Sequence, residues 1–214
     1  DSRFIKRQEE RRANNLPDQI YDVTAWSLPQ MYNLTVQRCS DAVEVSSVVV
    51  GPETIIPGQV SQTDAAYGYL VPWGDMAAAR LMSAALQQGV KVKSTDVAFT
   101  HQNGKQYPAG TLILSKADNP GLAEKIGELA HRSGAQVEGI NSSWVLDGPN
   151  FGSDQVKLIP KVNIAMVWDE PTNPLSAGSA RFVLERFIGY PVTAFRPAQL
   201  LQSALQGYDV LILP

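Results

Sequence analysis

Cysteine is all but missing from this chain, with Cys39 the single one in 214 residues. That excludes a disulfide within the chain and a zinc site built from cysteines. Histidine is nearly as scarce, only His101 and His131. Neither has a second histidine or a glutamate at metal-ligand spacing, so no His-x-x-Glu or His-Glu-x-x-His pattern occurs. Long apolar runs are lacking too; none approaches the ~18 residues of a membrane-spanning helix. Charged residues make up only 18% of the chain, and a formal charge of −3 gives no reason to expect a nucleic-acid partner. Catalytic signatures are absent as well: there is no Gly-x-Ser-x-Gly elbow, no Gly-x-Gly-x-x-Gly and no phosphate loop. Cys39 follows Gln37-Arg38 in an expected strand without the flanking glycines of a nucleophilic elbow, and it reads as a structural thiol. The glycosylation pattern occurs at Asn33-Leu-Thr35 and Asn141-Ser-Ser143, a match too short to carry weight.

What the chain does have is clearest in its last fifty or so residues. Val162, Ile164, Met166 and Trp168 alternate with Asn163, Ala165 and Val167, so both faces are largely apolar, as in a covered parallel strand. Phe182, Val183, Leu184, Phe187 and Ile188 then form one helical stripe expected to be buried, closed by Gly189 and Pro191. A strand at 191–195, a short helix from Pro197 and a terminal apolar run, Val210 to Leu213, complete strand, helix, strand, helix, strand. The expectation is a doubly wound parallel sheet, met while it is still growing, in a fragment of something larger.

Earlier segments are mixed. Residues 1–19 are dense in charge, with Arg3, Lys6, Arg7, Glu9, Glu10, Arg11 and Arg12, and read as a solvated helix or linker. The stretch 20–34, with Tyr21, Trp26, Leu28, Met31 and Tyr32, reads as core or interface. Val43, Val45, Val48, Val49 and Val50 predict a strand. A strand at 65–72, a helix at 75–88 and a strand at 90–94 form a first βαβ unit. Asn103-Gly104 predicts a hairpin. A strand at 111–115, a helix at 122–132 and a strand at 136–140 form a second βαβ unit, alike in layout but too generic to establish a repeat. The connection 146–161, holding Gly148, Pro149, Gly152 and Pro160, reads as a linker. The domains expected are therefore a charged entry at 1–19, a mixed α/β accessory domain at 20–145, the linker, and an α/β domain from 162 to 214.

Candidate site residues are few. Asp169 and Glu170 stand at the carboxyl end of a parallel strand, where open α/β sheets bind ligands. Ser176-Ala-Gly178-Ser179 opens the following helix, where free backbone N–H groups can receive an anion, although ordinary capping explains the same residues.

As an ordered set, Tyr21-Asp-Val-Thr-Ala-Trp-Ser-Leu-Pro29, Ala66-Tyr-Gly-Tyr-Leu-Val-Pro72 and Tyr107-Pro-Ala-Gly-Thr-Leu-Ile-Leu114 resemble the non-catalytic region of large bacterial zinc carboxypeptidases, relatives of carboxypeptidase A. The closing stretch, Gly178-Ser-Ala-Arg-Phe-Val-Leu-Glu185 through Tyr208-Asp-Val-Leu-Ile-Leu-Pro214, is similar to the opening of their class I glutamine-amidotransferase-like domain. The resemblance implies a flavodoxin-like sheet, of which this chain holds the first half. It implies zinc and the peptidase site in a domain upstream of Asp1, with no catalytic residue and no cofactor in this chain. It also implies a periplasmic or secreted setting, packing against the upstream peptidase domain, and a homo-oligomer among the roles to be weighed. Two other readings stand beside it: an amidotransferase-like enzyme domain, and a ligand-binding module using a cleft between the two α/β parts.

Overall fold

The computed structural model describes residues 2–18, 34–37, 39–41, 44–51, 54, 56–200 and 205–214. All of the apolar stretch 20–34 except Leu34 lies outside the described residues, as does Val43. The chain divides into two compact units, 1–50 and 51–214.

In the first unit the charged segment is a helix, α1 (Ser2–Ala13). Just beyond it, Arg12 grips Asp18 with both ends of its guanidinium, Nε at 2.9 Å and Nη2 at 2.8 Å. The valine-rich run does not form the expected strand. Residues 44–50 belong to no sheet, and Val48 and Val49 are 86% and 99% exposed. The reason is that β-branched residues favour strands because they pack on a pleated neighbour, and among the described residues no strand pairs with this run to supply one. Cys39 is likewise exposed and in no strand, so it is not a buried structural thiol.

The second unit holds β1 (Gln59–Val60), β2 (Gly68–Val71), α2 (Met76–Gln87), β3 (Val92–Ser94), β4 (Phe99–His101), β5 (Gln106–Tyr107), β6 (Leu112–Ser115), α3 (Leu122–Ser133), β7 (Gln136–Ile140), β8 (Val145–Asp147) and β9 (Lys157–Ile159). Asp75 starts α2 by accepting the Ala78 N–H at 2.8 Å. Gly134, at φ 82, ends α3 in the left-handed conformation that glycine adopts without penalty. Asn103-Gly104 does turn the β4–β5 hairpin, with Gly104 at φ +80.

The two strand–helix–strand units are present but interleaved, which the sequence reading did not foresee. Six strands run in the order β1-β7-β2-β6-β3-β9. Strand β6 lies antiparallel between β2 and β3, and β2 lies antiparallel between β6 and β7. This is the split βαβ arrangement called ferredoxin-like. Residues 146–161, read as a linker, contribute most of β8 and all of β9, the latter pairing with β3 at the sheet edge. Gly and Pro there punctuate short strands.

The sheet is covered on both faces. On one, Tyr69, Val71, Leu112, Leu114 and Val137 pack beneath Leu81 and Ala85 of α2 and Ile126 and Leu129 of α3. On the other, Leu70, Ile113 and Ile140 meet Phe99, Tyr107, Val145 and Phe151, carried by the small sheet β5-β4-β8 and the loop after it. Strands β2 and β6 are buried along their whole length, which explains their unbroken apolar sequence. Each fully buried Leu or Ile contributes roughly 1.5–3 kcal/mol. The Asn119 side chain ties the two helical connections together. Its oxygen accepts the Lys91 N–H at 2.7 Å, and its nitrogen donates to the Lys91 and Ser115 carbonyls, both at 3.0 Å.

The closing stretch forms β10 (Ile164–Val167), α4 (Pro174–Phe182) continuing as a π-helical turn (Val183–Ile188), β11 (Val192–Phe195), α5 (Pro197–Leu200) and β12 (Val210–Ile212). All three strands are parallel, as expected, and run in the order β11-β10-β12; the helical stripe expected to be buried is not, with Phe182, Val183 and Phe187 exposed. Tyr190 anchors this part. Its ring sits in the main core, and its hydroxyl donates to the Val162 carbonyl at 2.6 Å and accepts the Val162 N–H at 2.9 Å.

Candidate functional site

Strand β10 is the centre of the parallel sheet, so the loop leaving its carboxyl end opens between its two neighbours. The ladder runs one residue further, the Trp168 N–H donating to the Phe195 carbonyl at 2.7 Å. The chain then reverses at Asp169, held at φ 84, a conformation a non-glycine residue seldom adopts. Such strain gathers at functional sites. Three contacts fix it. The Asp169 carbonyl accepts the Thr172 N–H at 3.0 Å and its hydroxyl at 2.6 Å, and the Asp169 carboxylate accepts the Glu170 N–H at 3.0 Å. Pro171 and Pro174 stiffen the loop, and the Glu170–Pro171 bond is cis.

Around this turn lies an open cleft of about 640 Å³, lined by Trp168, Asp169, Glu170, Thr172, Pro174 and Ala177. Its volume falls in the range of small-molecule sites. Arg181 lies over the Trp168 ring at 5.3 Å and is itself held by Glu185 at 2.9 Å. Arg196 stands 3.7 Å from the Asp169 carboxylate, both side chains largely exposed, so the pair holds the carboxylate only loosely. Two acceptor carboxylates beside an indole face suit a ligand that brings N–H or O–H donors.

Of the residues singled out in the sequence, Asp169 and Glu170 come together here. Ser176 and Ser179 do not line the cleft; both are exposed on α4. The N–H groups expected to receive an anion are already used. Asn173 accepts from the Leu175 and Ser176 N–H groups at 2.9 and 3.1 Å, and its carbonyl accepts from Ala177. The helix is capped, but by Asn173, ahead of Pro174, and not by Ser176 or Ser179, which lie inside it.

Trp168, Thr172, Arg181 and Arg196 were missed. Trp168 was read only as the last apolar residue of a strand, and its place immediately before Asp169 was the available signal.

Other polar groups serve the core. His101 is 3% exposed, its Nε2–H donating to the Ser142 carbonyl at 2.9 Å, with its ring stacked on Phe151. The Tyr107 hydroxyl donates to Glu138 at 2.8 Å, and Lys105 pairs with the other oxygen of that carboxylate. Burial first, then that hydrogen bond, pushes the Tyr107 hydroxyl above its ordinary value of 10.0. Lys93 and the Ser115 hydroxyl, at 2.8 and 2.7 Å, hold the Asp118 carboxyl below its ordinary 3.8. Among the described residues, no group of three or more His, Cys, Asp or Glu is placed to hold a metal ion.

Set against protein-family models, curated proteins and solved structures, the chain matches none of them.

Proposed function

We propose that residues 162–214 act as a small-ligand-binding α/β domain of the amidotransferase-like kind, with the ligand at the carboxyl end of β10. The single observation that carries this is the cleft beside the strained Asp169. The order β11-β10-β12 supports it, since it corresponds to the first three strands of the doubly wound order 2-1-3-4-5. Ligands of such sheets bind where the strand order reverses, which is beside the first strand, here β10. The ligand class is a small amine or polyol: donors for Asp169 and Glu170, with a flat or aliphatic body for the Trp168 ring.

The test is thermal unfolding with a panel of small amines and polyols, repeated on Asp169→Asn. A binder at a hundred times its Kd stabilises the fold by about 2.7 kcal/mol. The expected result is saturable stabilisation that Asp169→Asn abolishes while its own unfolding stays cooperative. No saturating compound, or undiminished binding by both Asp169→Asn and Trp168→Ala, would sink the reading.

A second reading concerns the chain as a whole: a non-catalytic accessory region of a zinc carboxypeptidase-like protein, supporting packing, substrate access or oligomerisation. What favours it is where the resembling segments lie. Ala66 to Pro72 and Tyr107 to Leu114 supply β2 and β6, which pair as Tyr69↔Leu114 and Leu70↔Ile113 at the centre of the main sheet. Those segments do structural work. Stoichiometric zinc and release of C-terminal residues by the native source protein are the expected findings. A native protein with the mass of this chain alone, free of zinc, would overturn it.

A further inference from the structure

A second recess lies away from β10, where α2, α3 and the π-helical turn meet. It encloses about 390 Å³ and joins the interleaved sheet domain to the parallel one. Five arginines lie beyond residue 50, at 80, 132, 181, 186 and 196, and three of them line this one recess, in a chain whose net charge is negative. Each comes from a different helix: Arg80 from α2, Arg132 from α3, Arg186 from the π turn.

Their charges are poorly neutralised. Arg80 is partly buried and donates from Nε to the Ser133 carbonyl at 2.8 Å, a bond that fixes the side chain without cancelling its charge. Arg132 faces Glu128 at 3.4 Å with both side chains over 70% exposed, a weak pair. Arg186 is exposed and makes no ion pair among the described residues. Among the described residues, Glu128 is the only acid lining the recess. The walls are also tied: Gln87 of α2 donates to the Gly189 carbonyl at 2.7 Å, bridging the two domains at the rim. The π turn places Arg186, Phe187 and Ile188 in succession along one wall, and single π turns are frequent at functional sites.

We propose that this recess is a binding site for a small polyanion, a molecule carrying two or more phosphate or carboxylate groups. Three guanidiniums against one carboxylate leave about two positive charges for it to meet, and guanidinium forks match the oxygens of both groups. The competing account is that Arg132 and Arg186 merely offset the negative ends of their helices. That role involves no ligand and is separable by experiment. This site is independent of the cleft at β10.

The experiment is isothermal titration of the whole chain at fixed ionic strength with inorganic pyrophosphate and, separately, with citrate. Saturable binding of either probe at millimolar concentration or below is expected, and which one binds tells phosphate from carboxylate chemistry. Arg186→Ala, at an exposed position with no ion pair to lose, is expected to weaken binding about tenfold or more. Glu128→Gln removes the one opposing charge and is expected to tighten it several-fold, an effect helix capping does not produce. Asp169→Asn leaves both affinities unchanged. Absence of saturable binding by either probe overturns the proposal, as does equal affinity in the wild type and both recess variants.

Discussion

Asp118 takes its two hydrogen bonds from Lys93 and Ser115, and both favour the ionised form. Its folded value lies below the 3.8 of an unfolded chain, so its contribution to stability is present above that value and is lost as pH falls through the folded one. The side chain is about a third exposed, so the contribution is modest. Urea unfolding of wild type and Asp118→Asn is expected to show its largest difference at neutral pH, with the gap closing below about pH 4. A gap constant across pH would show that Asp118 acts through packing alone. Single residues also mark how far the site could be read beforehand. Asp169 and Glu170 were legible because a strand end in a parallel sheet is a place known in advance. The recess arginines were not: Arg80, Arg132 and Arg186 lie on three helices, and only tertiary packing brings them to one wall.

Among the elements, the helices and buried strands were legible and their partners were not. Hydrophobic periodicity is a local property, so it located α2, α3, β2, β6 and β10. Interleaving is non-local: β1 pairs with β7 and β3 with β9, across most of the domain. A valine run without a neighbour to pack on looks the same in sequence as one that has found it, which is why 44–50 misled. Two glycines give a paired test of element packing. A Cβ added at Gly68 in β2 would stand 2.2 Å from the Leu114 carbonyl oxygen of β6, backbone that cannot move aside. Gly68→Ala is expected to destabilise by about 1–3 kcal/mol. Gly127, inside α3, has nothing within 4 Å of such an atom. Gly127→Ala is expected to stabilise by about 0.5–1 kcal/mol through helix propensity. Denaturant midpoints that shift in the same direction for both would contradict this packing.

At the scale of the whole chain, the structure is a mixed α/β assembly, and among the described residues no helix is long and apolar enough to cross a membrane. The division at Val50 separates the N-terminal unit from a body with two packed cores. Elastase cleaves after small aliphatic residues, and Val48, Val49 and Val50 are exposed and in no sheet. Brief digestion is expected to cut within 44–50 first and to leave 51–214 protected, as mass spectrometry of the products reads out. First cuts inside β2 or β6 would contradict the burial described. The interleaved order of the main sheet also sets a timetable for synthesis. Strand β2 leaves the ribosome before both of its flanking partners, the second complete only at Ile140, about seventy residues after Val71. At ~5–20 residues per second, that is about 4–14 s during which Gly68, Tyr69 and Leu70 lack their β7 partners. For that interval a strand that the finished protein buries along its whole length keeps an open edge, where another chain can pair with it.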